Sequence, residues 1–270
     1  MQIEHTIGRD FLNRPVRMLV IGAGGTGSAF LLHLPYLHQA LLAWGHPHGL
    51  DVTVADGDVV TETNCVRQPF AACDVGLNKA VVLASRINLF WGLGWNARPE
   101  PFGGFRDGVT ETPQLVVSCV DTRAARRLVH KAVTDQNRSV KYWLDIGNNA
   151  SSGQYVLGQP LNGMNRQGPE RLRTVAELYP EVLAEEEDPQ PSCSAAEALN
   201  RQEPFVNQML ALASLSMLTR LFRYGRIGHQ GGFWSAQMGT MVPLTIDPEK
   251  RAAQMRRERR RLARLRAAAA

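Results

Sequence analysis

The 270-residue sequence has only four cysteines, Cys65, Cys73, Cys119 and Cys193, and no CxxC pair. That absence removes support for a four-thiolate zinc ribbon, whose ligands come in closely spaced pairs. A long unbroken apolar run is also missing. The most apolar helical stretch, 205–222, contains Asn207, Gln208 and Arg220, so it reads as a buried helix and argues against a membrane span. Met1 to Arg14 is mostly polar and shows no basic-then-apolar leader. No internal repeat is evident. These absences together predict a cytoplasmic protein with free thiols.

Excess positive charge is missing from most of the chain as well. Net charge is +5, but residues 250–270 hold nine Lys or Arg against Glu258, a local +8 that leaves the remainder at −3. The basic balance therefore belongs to a tail. Such a tail can bind nucleic acid by neutralising phosphates, dock an acidic partner, or simply be solvated.

What is present alternates. Apolar runs at 17–21, 50–56, 114–121 and 140–147 read as buried strands. Helical periodicity falls at 26–42, 77–90 and 122–133 between them. Pro35 should kink or divide the first of these helices. This order predicts an α/β fold: a Rossmann-like, mostly parallel sheet with helices on both faces. A C-terminal antiparallel and helical extension follows, from 153–159, the helix at 205–222 and one or two late strands in 231–246. Residues 161–192 are polar and irregular, with an acidic, Pro-rich crossing at 184–192. The division expected is 1–160 as the Rossmann-like unit, 161–248 as crossover, apolar helix and late strands of the same domain, and 249–270 as a basic tail.

The stretch VIGAGGTGS at 20–28 places Gly22, Gly24 and Gly27 in a GxGxxG turn between strand and helix. Glycines let the backbone turn tightly and approach phosphate, and the helix start offers free N–H groups. Asp56 ends the next strand, 29 residues after Gly27. It suits the ribose hydroxyls of a nicotinamide or an adenine nucleotide equally. Asn64, Arg67, Gln68 and Lys79 follow in a polar stretch. Cations there favour phosphate chemistry over hydride transfer, because they clamp charge that develops on a phosphoryl group. Blander readings stand beside these: Asp58 as a cap, Gln68 bonded to backbone, Asn64 and Arg67 in a surface turn, Lys79 solvated, and Asp121 capping the helix that starts at Thr122.

The ordered series GxGGxGS, D-x-D-x-V, N-x-x-R-Q, D-x-G-x-x-K-A and a strand ending in Asp121 resembles the ThiF/MoeB family, prokaryotic relatives of the ubiquitin-activating enzymes. The resemblance covers about 17–150, more weakly 192–222. Within it, PSCSAAEAL at 191–199 and the compact length resemble the branch found in the plasmid-associated PRTRC cassette. The resemblance implies ATP- and Mg2+-dependent adenylation of the C-terminal carboxylate of a small ubiquitin-like or sulfur-carrier protein, by a homodimer built through the 205–222 region. It implies that Gly22, Gly24, Gly25 and Gly27 line the phosphates and that Asp56 binds ribose. Asn64 and Arg67 would contact the triphosphate, Lys79 the phosphates, and Asp121 the magnesium and the attacking carboxylate. Some relatives pass the carboxylate to a cysteine, for which Cys193 is the candidate. Cys119 reads as core, and Cys65 lies in the phosphate-facing loop. The chain departs from the pattern at Thr122, where many relatives have Asn. It lacks the family's zinc cysteines, so no zinc is expected. For the N-terminal arginine that relatives lend to a partner subunit it offers Arg9, Arg14 and Arg17. A non-catalytic nucleotide-binding scaffold that docks DNA or a partner through its tail is the alternative.

Overall fold

Val16–Ile21 is apolar at every position but Arg17, which suits a strand covered on both faces. In the computed structural model, which describes residues 4–105, 112–165, 171–185, 203 and 205–246, this segment (β2) is central. The strands, after a short β1 (His5–Thr6), are β3 (Leu50–Ala55), β4 (Asn96–Arg98), β5 (Leu115–Ser118), β6 (Tyr142–Asn148), β7 (Ser152–Gly158), β8 (Arg226–Ile227), β9 (His229–Ser235) and β10 (Thr240–Thr245). The main sheet runs β10-β9-β7-β6-β5-β2-β3-β4. From β4 to β6 every pairing is parallel, and β7, β9 and β10 extend it antiparallel. The chain order reverses between β2 and β5, the switch point at which such sheets open a crevice beyond their carboxyl ends.

The helices are α1 (Asp10–Asn13), α2 (Gly25–Ala43), α3 (Lys79–Trp91), α4 (Arg123–Val133), α5 (Val175–Leu178) and α6 (Val206–Tyr224). Alternate strand residues feed two cores. Met18, Val20, Val52 and Val54 pack with α2, α3 and α6, while Leu19, Ile21, Ala55 and Val116 pack with α4 and α5. Helix α2 is not divided: Pro35 lies buried inside one 19-residue helix. Proline removes a single N–H bond, which a helix held along its length by core packing can spare. Asn207 meets Gly25 at one end of the α2–α6 pair, and Arg223 stacks over Trp44 at the other, so the two helices run parallel. The 122–133 helix begins one residue later than expected, with Thr122 as its cap accepting from Ala125 N–H at 3.2 Å. Asp121 therefore does not cap it. Among the described residues, no helix is long and apolar enough to cross a membrane. The tail at 249–270 and Cys193 lie outside the described residues.

Candidate nucleotide site

The three motif glycines have three separate jobs. Gly22 sits at φ +92°, and a Cβ there would stand 2.7 Å from the Cys119 carbonyl oxygen. Gly27 allows α2 to close on β2, since its Cβ would lie 1.8 Å from Gly22 O. Gly24 is different: a Cβ there would meet nothing within 4 Å. Gly24 also caps α2 without a side-chain bond. The amides of Gly24, Gly25, Thr26 and Gly27 make no hydrogen bond among the described residues. Free donors and the positive end of a 19-residue helix thus sit beneath open space, an arrangement that fits phosphate. Gly25 has a further role that the sequence did not suggest. Its missing side chain makes room for Asn207, whose Nδ2 would be 2.5 Å from a Cβ. Thr26 Oγ1 lies within hydrogen-bond reach of the side-chain oxygens of Asn207 and Asn148, which fastens α6 to the turn.

Asp56 follows β3 directly after Ala55, which pairs with Ile21, the last residue of β2. Its carboxylate accepts from Ala23 N–H at 2.5 Å and from Asp58 N–H at 2.8 Å. Burial pushes its pKa above the ordinary aspartate range, against the opposing pull of those two N–H groups and Lys79. Lys79, the first residue of α3, is only 7% exposed. Its Nζ pairs with Asp58 Oδ2 at 2.9 Å, and the Asp58 side chain is 72% exposed. The turn, Asp56, Asp58 and Lys79 are therefore joined hand to hand. Asn78 locks the junction: it caps α3 at Val81 N–H and donates to the carbonyls of Asp56 and Asp58.

A pH effect follows from the raised Asp56 pKa. A carboxyl that protonates early loses its charge and becomes a donor at one oxygen, so its hold on the Ala23 and Asp58 N–H groups weakens, and any nucleotide affinity of the turn is expected to fall, on acidification, above the pH at which an ordinary aspartate titrates, about 3.9. Asp56→Asn should lose that limb of the profile and bind more weakly throughout. A titration of ATP affinity against pH on both proteins checks it, and an identical acid limb in the variant would exclude Asp56 as its origin.

Residues 59–78 make an excursion closed at its stem by Val59 bridging Asn78, by Val60 N–H on Leu77 O and by Gly76 N–H on Val60 O. Asn64 lies within it on a 3-10 turn (Glu62–Val66), and its side-chain oxygen accepts from Thr61 N–H at 3.0 Å. Half-buried Arg67 ends that turn. The structure brings Asp56 to the glycine turn and Lys79 close to Asp56, while Asn64 and Arg67 stand on the 59–78 excursion. Gln68 is buried and its side-chain oxygen has no partner, unlike the backbone bond expected of it. The D-x-G portion of the lysine motif is architectural. Asp74 caps Ala71 N–H and pairs with Arg86 on α3, Arg86 holds the Pro69 carbonyl, and Gly76 takes φ +88°.

Asp121 comes just beyond the carboxyl end of β5. Its side chain is exposed and makes no hydrogen bond or ion pair among the described residues. Two residues earlier, Cys119 donates its N–H to Ile21 O beside Gly22. Cys119 is half-buried against the larger core, close to the core placement expected, and burial pushes its thiol pKa up, which disfavours the thiolate. No group of three His, Cys, Asp or Glu side chains that could hold a metal occurs among the described residues. A lone carboxylate such as Asp121 suits Mg2+ that takes its other ligands from phosphate and water. A recess of about 190 Å³ lined by Arg17, Asp51, Arg98 and Arg138 lies elsewhere and shares no residue with the turn. The sequence reading missed Asn78, Asn148, Asn207, Arg126 and Asp145. Asp145 alone left a signal, as a charge inside the apolar run at 142–146.

A comparison with curated proteins returns no match. Among solved structures 165 chains match. One is the crystal structure of SeMet PaaA, 14% identical with a TM-score of 0.57, over 87% of this chain and 65% of that one. The chain thus spans just under two thirds of that protein's length, and the likeness is one of fold. A model of the ThiF family matches residues 7–254. That match takes in the glycine turn, Asp56, Lys79 and Asp121 on one nearly chain-long unit, and the chain belongs to the ThiF family.

Proposed function

We propose that the protein adenylates the C-terminal carboxylate of a small ubiquitin-like or sulfur-carrier protein with ATP. The observation that carries this reading is the set of amides at Gly24–Gly27 with no partner among the described residues, linked through Asp56 to the buried Lys79. In the reaction a carboxylate oxygen bonds to the α-phosphorus, the bond to the bridging oxygen breaks, and pyrophosphate leaves. The obstacle is an anion approaching a polyanion. Donors and cations fixed before the event reduce that repulsion most where charge is greatest.

Gly22 and Gly27 shape the turn, and the amides of Gly24 and Gly25 face phosphate. Asp56 takes the ribose, Lys79 acts as a point charge, and Asn64 and Arg67 contact the triphosphate when the 59–78 excursion closes on it. Asp121 holds Mg2+, which supplies further neutralisation of phosphate charge when bound. Catalytic roles fall to Arg67, Lys79 and Asp121, with Cys193 as a thioester acceptor. Residues 1–160 carry this machinery, 161–248 complete the domain and 249–270 form the tail. A homodimer forms through α6, whose Phe205, Met209 and Leu212 are exposed at helical spacing. The PRTRC branch remains the narrower assignment, and the cytoplasm the location.

The test is ATP–pyrophosphate exchange with a purified small ubiquitin-fold protein that ends in glycine. Exchange should require both proteins and Mg2+. Failure to bind ATP at millimolar concentration with Mg2+ would reject the reading.

A further inference from the structure

The geometry points to Arg126 and Asp145 as a positioning pair that fixes the turn carrying Asp121, an inference that rests on the adenylation reading above. Asp145 stands opposite Ser118 in the β5–β6 register and is fully buried. Its Oδ1 accepts from Ser118 Oγ at 2.7 Å and from Arg126 Nε at 3.0 Å, while Trp143 Nε1 donates to Ser118 Oγ at 2.7 Å. Arg126, in the first turns of α4, uses its other arm on the chain itself: Nη2 donates to the Val120 carbonyl at 3.0 Å. Gly147 leaves space for this, since a Cβ there would come within 3.3 Å of that Nη2.

Stability alone does not account for the arrangement. Asp145 Oδ2 is buried with no hydrogen-bond partner among the described residues, and apolar side chains of similar volume commonly replace a buried ion pair without loss. What the pair supplies is placement. Asp121 has no side-chain partner among the described residues, so only its backbone decides where the carboxylate stands. That backbone is clamped on both sides, by Arg126 at Val120 and by Thr122 on Ala125 N–H. Asp121 is thereby held at the carboxyl edge, one residue beyond the Cys119–Val120 backbone that borders Gly22, where a metal-bound phosphate would lie.

Removing one partner strands a buried charge, so the decisive variant is the double Arg126→Met/Asp145→Leu, with Asp121→Ala as reference. ATP binding is measured by calorimetry with Mg2+ and with chelator, and amide exchange is followed at Cys119 and Ala125. The double variant should melt near the parent and keep metal-free ATP affinity within about twofold. It should lose most of the gain in affinity that Mg2+ confers, as Asp121→Ala does, and exchange those amides about tenfold faster. Parental Mg2+ gain together with parental exchange in the double variant overturns the proposal. If the parent binds no ATP at all, the adenylation reading fails by itself. Exchange then decides on the pair: faster upholds its hold on the turn, and unchanged removes it.

Discussion

Lys79→Ala should reduce ATP–pyrophosphate exchange by about 10²–10³-fold, the usual loss when one preorganised group that stabilises transition-state charge is removed. Three observations set this expectation. Lys79 is buried at the first position of α3, where a cation opposes the helix dipole. Its ion-pair partner Asp58 is largely exposed and can turn to water when an anion arrives. It is also close enough to Asp56 to draw that carboxyl's pKa down. Lys79→Arg should restore little, because a planar fork cannot replace a compact ammonium in a buried slot. Asp58→Asn should behave oppositely to Lys79→Ala, with ATP affinity unchanged or improved, since it frees the ammonium from its carboxylate. Melting curves separate these effects from unfolding. A folded Lys79→Ala protein that exchanges at the parental rate would remove Lys79 from the chemistry.

The centre of the sheet was legible because β2, β5 and β6 are covered on both faces and therefore read as apolar runs. The glycine turn was legible because two of its glycines meet steric demands no other residue satisfies: Gly22 by its φ, Gly27 by contact with Gly22 O. Strand β4 escaped notice. It has three residues, Asn96–Arg98, at a sheet edge, and burial there is too slight to impose a pattern. Short β1 and α1 were missed for the same reason. Pro35 misled because propensity is local and packing is not. The site's supporting shell was hardest to see. Asn78, Asn148 and Asn207 come from a loop end, a strand end and a helix start, and only the fold brings them together. Asp58 and Lys79 lie 21 positions apart, and the bond between them depends on the closed stem of the excursion.

Gly27→Ala and Gly24→Ala should separate folding from binding within one motif. At Gly27 the new Cβ would fall 1.8 Å from Gly22 O and 2.8 Å from Gly22 C, both backbone atoms at the end of β2. No rotamer relieves that contact, so α2 has to move away from the strand and from Asn207. Overpacking in a core usually costs about 1–3 kcal/mol, and a clash with backbone on both sides belongs at or above the top of that range. With roughly 2–4 °C of melting temperature per kcal/mol in a chain of this size, a fall of about 10 °C is expected. At Gly24 the Cβ meets nothing, and φ is −74°, so stability should stay within about 1 kcal/mol of the parent. The methyl would instead stand where phosphate must approach the free amides, and ATP affinity should drop by tenfold or more. Scanning calorimetry and ATP titration on both variants provide the check. Should Gly24→Ala bind ATP as the parent does, the open face above the turn is not where phosphate sits. Should Gly27→Ala melt with the parent, the close approach of α2 to β2 is not what holds the turn in shape.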